Sequence, residues 1–175
     1  MRIGTKAPDF NLPDVDGEII SLRSLAAGKT AVVVIFTCNH CPYSIAYTER
    51  LKKIQSQYLS KGVVLVGINP DSEDKHPEDT LEDMKKYAVE RNLNFHYLRD
   101  KTGETAMDYD AKVIPEAFLV DASGTIRYSG RIDDCWQSAK RVKRHDLKEA
   151  LEDILHERDV AVKTTPPIGC AIKRE

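Results

Sequence analysis

An α/β sandwich around a mixed sheet is the fold class this sequence predicts, and three observations predict it. The run Ala31-Val-Val-Val-Ile-Phe36 is uniformly apolar and mostly β-branched, as expected of a strand buried on both faces. A second such run, Val63-Val-Leu-Val-Gly-Ile68, follows a stretch whose apolar positions recur at helical spacing. Two late strand candidates flank Asp121-Ala-Ser-Gly124, a hairpin turn by composition, and a last helical stretch follows them. Strands and helices that alternate and then finish with a hairpin and a helix make a layered α/β domain.

Taken in order, residues 7–22 read as an extended segment, a turn at Asp14-Val-Asp-Gly17 and a short return strand, an N-terminal β extension. The buried strand 31–36 comes next. From Pro42 to Leu59 the positions Ile45, Leu51, Ile54 and Tyr58 lie on one helical face. The second buried strand stops at Asn69-Pro70. Glu78 to Arg91 carries Leu81, Met84 and Ala88 at helical spacing, and Asn94-Phe-His-Tyr-Leu98 is a short strand. The hairpin strands are Ala117–Val120 and Thr125–Ser129, and His145 to Glu157 is an amphipathic helix through Leu147, Leu151, Ile154 and Leu155. One domain over residues 1–157 and a tail over 158–175, with Pro166-Pro167 and Gly169, is the expected organisation.

The chain has 175 residues, enough for one domain with its own core, and 41% apolar and 31% charged residues with a net charge of −2. That balance does not fit a nucleic-acid partner, which calls for a strongly basic face. The N-terminus lacks the apolar segment of about 7 to 15 residues found in a signal peptide, and no window reaches the ~18 apolar residues of a membrane span. A cytoplasmic protein without a membrane partner is the expectation. Structural disulfides are uncommon there, so the four cysteines, at 38, 41, 135 and 170, point to redox chemistry or metal.

Cys38 and Cys41 sit in Phe36-Thr-Cys-Asn-His-Cys-Pro-Tyr43, between the first buried strand and the helix after it. Such a pair can be a reversible disulfide, half of a zinc site, a peroxide-reducing thiol with a neighbour, or two small core residues. A strand-to-helix turn is where a cysteine-x-x-cysteine pair works in redox chemistry. Structural zinc needs four ligands, commonly two such pairs, and Cys135 and Cys170 stand isolated, so no metal is expected. If the helix begins at Asn39 or His40, its unpaired N–H groups and positive dipole end favour a thiolate at Cys38, which makes Cys38 the nucleophile. His40, next to Cys41, is the candidate for tuning the pair. The acidic set Asp71, Glu73, Asp74, Glu78 and Asp79 reads as capping the helix that follows it.

The motifs Gly4-Thr-Lys-Ala-Pro-Asp-Phe10, Phe36-Thr-Cys-Asn-His-Cys-Pro-Tyr43, Val113-Ile-Pro-Glu-Ala-Phe-Leu-Val-Asp121 and Gly124-Thr-Ile126 together resemble the thioredoxin superfamily. More narrowly they are similar to the alkyl hydroperoxide reductase/thiol-specific antioxidant group and its peroxiredoxin-like branch. The tail, Pro167-Ile-Gly-Cys-Ala-Ile-Lys173, resembles that branch's Gly-Cys-x-Ile-Lys ending. The resemblance implies a thioredoxin-like α/β/α sandwich, a cis-proline at Pro115 beside the cysteine pair, and thiol-disulfide exchange through Cys38 and Cys41. It also implies that Ile114 and Pro115 hold a substrate backbone as an added strand. No cofactor is called for; the partners are a protein or small-molecule disulfide and a thioredoxin-type reductant.

The antioxidant alternative is peroxide reduction, which in this group places Thr or Ser three residues before the reacting cysteine. Ile35 stands there for Cys38 and Cys38 itself for Cys41, so the register favours disulfide exchange. A binding module with inert thiols is the remaining alternative. His40 before the second cysteine is similar to the periplasmic disulfide-forming oxidase, which predicts a pair more oxidising than thioredoxin. Cys170, in a proline- and glycine-rich setting, is read as an exposed auxiliary thiol that pairs with Cys38.

Overall fold

The computed structural model describes residues 2–174. Strands β1 (Asn11–Pro13) and β2 (Ile19–Ser21) form the expected N-terminal hairpin. Helix α1 (Leu22–Ala26) follows, capped by Ser21, and leads to β3 (Ala31–Phe36), every residue of which is buried. Helix α2 (Pro42–Tyr58), β4 (Val63–Asn69), α3 (Leu81–Glu90), β5 (His96–Arg99) and α4 (Glu104–Asp108) come next. The chain closes with β6 (Val113–Ile114), β7 (Glu116–Asp121), β8 (Ile126–Gly130), α5 (Asp146–Leu155) and β9 (Cys170–Ala171).

The central sheet has five strands in the order β5-β4-β3-β7-β8. Its β3-β4 and β4-β5 pairs are parallel and its β3-β7 and β7-β8 pairs antiparallel, so the sheet is mixed as expected. Alternation along β3 divides the core. Val33 and Ile35 pack under α2 and α5 with Leu51, Ile54, Leu147 and Leu151. Val32, Val34 and Phe36 face Leu22, Leu25, Phe118 and Tyr109, a layer that also takes in Cys38 and Cys41. Phe36 meets Tyr109 and Phe118 edge-on, with centroids 5.5 and 5.7 Å away.

Two expectations need correction. Helix α2 starts at Pro42, not at Asn39 or His40: proline fits the first helical position because it has no N–H to satisfy, and Cys41 becomes the N-cap. Helix α3 starts at Leu81, and Thr80 rather than the acidic set caps it, its Oγ1 accepting the Asp83 N–H at 3.2 Å. Two elements of five residues each, α1 and α4, are too short to show a helical period in the sequence.

Residues past 157 are not free of the domain. Thr164 bridges Ser129, Thr165 Oγ1 accepts the Arg131 N–H at 3.0 Å, and β9 pairs antiparallel with β6. Cys170 is half-buried against the core instead of exposed.

Candidate active site

The C-terminal end of β3 delivers Cys38 to the mouth of the central sheet, and the N-terminus of α2 delivers Cys41 beside it. Between them Asn39 and His40 are drawn out of the helix by a carboxylate on another loop. Asp79 Oδ1 accepts the Asn39 N–H at 2.8 Å and an Asn69 side-chain N–H at 3.0 Å, and Asp79 Oδ2 sits 2.5 Å from His40 Nδ1. Asn39 Oδ1 accepts the Tyr97 hydroxyl at 2.7 Å, while its Nδ2 donates to the Glu78 carbonyl at 2.7 Å. These bonds replace the helical ones that an earlier start of α2 would have made.

Both thiols are buried and unbridged, and they lie close enough to shift each other's ionisation. The Cys38 sulfur also accepts the Cys41 N–H at 3.3 Å. A proton shared in this way leaves one sulfur early and the other late. Donation from the Cys38 thiol, helped by the Cys170 thiol and more weakly by the Ser44 and Tyr43 amides, lowers Cys41 from 9.0 to about 4. The bond given to Cys41, burial and the nearby charge of Asp79 all push Cys38 up. Each sulfur thus moves the other, Cys41 down and Cys38 up, and the first proton leaves the pair well below the ordinary thiol value.

The His40 ring does not act on the sulfurs directly. It stacks on His76 with centroids 3.7 Å apart, and its Nε2 lies 3.6 Å from Asp71 Oδ2. Its Nδ1 contacts Asp79, whose charge pushes the Cys38 thiol up. Cys38, His40, Asp71 and Asp79 each place a ligand atom within 4.8 Å of the others. Asp79 and Asp71 Oδ1 are already occupied by N–H donors, so Cys38, His40 Nε2 and Asp71 Oδ2 are the groups that could hold a divalent ion. Asp71 Oδ2 is buried without a hydrogen-bond partner, and burial raises the Asp71 carboxyl above its usual range.

The Ile114–Pro115 peptide is cis and borders the pair, as the resemblance implies. Glu116 shapes this loop: Oε1 accepts the N–H groups of Lys112 at 2.9 Å and Val113 at 3.2 Å. The Cys41 sulfur lies 3.7 Å from the Ile114 carbonyl oxygen, to which the thiol donates when protonated. On the edge of Ile114 where a substrate strand was expected lies the chain's own β9, with Cys170 directly opposite Ile114. Cys38, His40, Cys41, Ile114, Pro115 and Cys170 thus converge, together with Asp71, Asp79, His76 and Glu116, which sequence reasoning did not assign to the site. Asp71 and Asp79 were visible as part of an acidic run, but only the folded loop turns both carboxylates towards residue 40. Cys135 lies apart, with its thiol on Gln137.

A thioredoxin-like sandwich with a buried dithiol between a strand and a helix, facing a cis-proline, defines a class of thiol-redox proteins. The chain belongs to the AhpC/TSA family, whose model matches residues 3–129. It is 31% identical to the thiol:disulfide interchange protein DsbE of Pseudomonas fluorescens biotype C over 150 residues, covering 83% of this chain and 77% of that one. It is 26% identical to the thiol-disulfide oxidoreductase ResA of Bacillus thuringiensis subsp. konkukian over 157 residues, covering 89% and 78%. Among solved structures, an uncharacterized conserved protein from Geobacillus kaustophilus superposes with a TM-score of 0.93 at 36% identity, covering 99% of this chain and 93% of that one. Among the described residues, no helix is long and apolar enough to cross a membrane.

Proposed function

We propose that the protein is a thiol-disulfide oxidoreductase working through Cys38 and Cys41. The observation that carries this is the geometry of the buried pair: the Cys41 N–H donates to the Cys38 sulfur at 3.3 Å, and the Cys41 sulfur lies 3.7 Å from the Ile114 carbonyl oxygen of the cis Ile114–Pro115 peptide. Cys41 is enclosed by the Ile114 carbonyl and Cys170, so Cys38 is the sulfur that meets a substrate.

Attack begins when the Cys38 proton passes to the neighbouring Cys41 thiolate. The Cys38 thiolate then joins one sulfur of the substrate disulfide and releases the other as a thiolate. That leaving thiolate takes the Cys41 proton, and the Cys41 thiolate displaces the bound substrate sulfur to close the Cys38–Cys41 disulfide. The substrate gains two electrons and the pair loses two. DsbE and ResA, by their names, are proteins of disulfide chemistry, which supports the reading.

The test is mechanism-based trapping with a disulfide-bonded protein substrate such as insulin. Cys41→Ser is expected to accumulate a mixed disulfide on Cys38, while Cys38→Ser abolishes reductive turnover. Unimpaired turnover in both variants would contradict the proposal. Rapid peroxide consumption that depends on the pair, with no disulfide reduction, would favour the peroxidase reading instead.

A further inference from the structure

The exchange just described leaves Cys170 unused, although the fold delivers it to the pair. Cys170 faces Ile114 across the β6-β9 ladder, where paired Cα atoms are only about 4.5 to 5.5 Å apart. Ile114 in turn offers its carbonyl to the Cys41 sulfur at 3.7 Å. Cys170 and that same sulfur shift each other's ionisation, so Cys41 has a thiol neighbour in both Cys38 and Cys170.

The tail is fastened at this place by several independent contacts. Gly169 passes so close to the cis-proline loop that a Cβ there would lie 2.0 Å from the Ile114 carbonyl oxygen. Beyond Cys170, the Ile172 N–H donates to the Lys112 carbonyl at 3.3 Å. Lys173 donates its N–H to the buried Asp71 Oδ1 at 2.7 Å and accepts the Ser72 N–H at 2.8 Å. The Arg174 guanidinium reaches the Ala111 carbonyl at 3.1 Å. Exposure orders the three sulfurs: Cys41 is 0% and Cys38 2% exposed, while Cys170 is the half-buried, outermost one.

We propose that Cys170 relays reducing equivalents to the buried pair through a Cys41–Cys170 disulfide, in place of the Cys38–Cys170 bridge expected from the sequence. This rests on the dithiol reading above. Cys170 attacks Cys41 of the Cys38–Cys41 disulfide; the Cys41–Cys170 bond forms, the Cys38–Cys41 bond breaks, and Cys38 leaves with the proton given up by Cys170. No net electrons move in this step. An external dithiol then attacks Cys170, Cys41 departs as its thiolate, and the second sulfur of the dithiol displaces Cys170. The dithiol is oxidised to its disulfide, Cys41 and Cys170 are reduced, Cys170 regains a proton and one proton goes to solvent. Because β9 lies on the edge expected to take a substrate strand, redocking of the tail follows departure of the substrate and sets the order of the two exchanges.

The decisive experiment is disulfide mapping of the full chain. Reduced Cys38→Ser and wild-type protein are exposed to excess oxidised glutathione, quenched in acid, alkylated and digested without reductant. The variant is expected to carry a Cys41–Cys170 bridge in most molecules. Glutathione adducts or free thiols at 41 and 170 without that bridge would overturn the relay. The wild type reports separately on the dithiol: no Cys38–Cys41 bridge there means the functional reading fails, whereas a bridge there with none in the variant means only the relay fails. Independently of how the variant folds, Cys170→Ser is expected to slow re-reduction of the oxidised pair by thioredoxin at least tenfold, and a wild-type rate would contradict the relay.

Discussion

A single proton shared by two sulfurs sets the chemistry at the residue scale. Because the Cys38 thiol donates to it, Cys41 ionises at about 4, against an ordinary 9.0, while the same bond, burial and Asp79 hold the Cys38 proton in place. The reduced pair then carries one charge through the neutral range. Since the folded value of Cys41 is depressed, its thiolate stabilises the reduced fold fully above the ordinary thiol value, and this is lost as pH falls through about 4. Ultraviolet thiolate absorbance should therefore show one thiolate per chain that persists down to about pH 4. Cys38→Ala should move its midpoint up towards 9.0; a wild-type signal already lost near that ordinary value would contradict the shared proton. The cysteine spacing made the pair legible in the sequence. The coupling between the two sulfurs was not legible, because it depends on how the turn between β3 and α2 folds.

Among the elements, the shortest strand pair has the largest consequence. Strands β6 and β9 have two residues each, and no periodicity can announce a strand of that length. Pro166, Pro167 and Gly169 argue for a loop, and the same glycine turns out to be what lets the tail close on the cis-proline loop. Gly169→Ala should expel β9 without touching the five-stranded sheet, since the added methyl meets Ile114 and Pro115 backbone atoms that cannot give way. Hydrogen exchange checks this: the Ile172 and Lys173 amides, bonded to Lys112 and Asp71, should lose protection by tenfold or more while the β3 and β4 amides keep theirs. Unchanged protection at Ile172 and Lys173 would show that the tail tolerates the methyl group. By contrast β3, β4 and the C-terminal end of α2 were legible to within a residue, because unbroken apolar runs and a long helical face leave few alternatives.

For the whole molecule, the sheet order brings four distant segments to one rim: the β3-α2 turn, the loop after β4 holding Asp71 and Asp79, the cis-proline loop before β7, and the tail. The resemblance named the first, the third and the tail. The acidic loop was read as a cap, because nothing in its local sequence shows that Asn39 and His40 draw Asp79 inward. These groups act together on one quantity, the stability of the reduced pair against its disulfide. A thiolate stabilised by neighbouring donors favours the reduced state and makes the pair a stronger oxidant. The most direct test of the account is a redox titration of the full chain in glutathione buffers, with the Cys38–Cys41 bridge quantified by peptide mapping. A reversible two-electron transition at that bridge, between about −270 mV and about −120 mV, the values of thioredoxin and the disulfide-forming oxidase, is expected. A Cys38–Cys41 bridge that never forms, or a potential at or below about −270 mV, would contradict it.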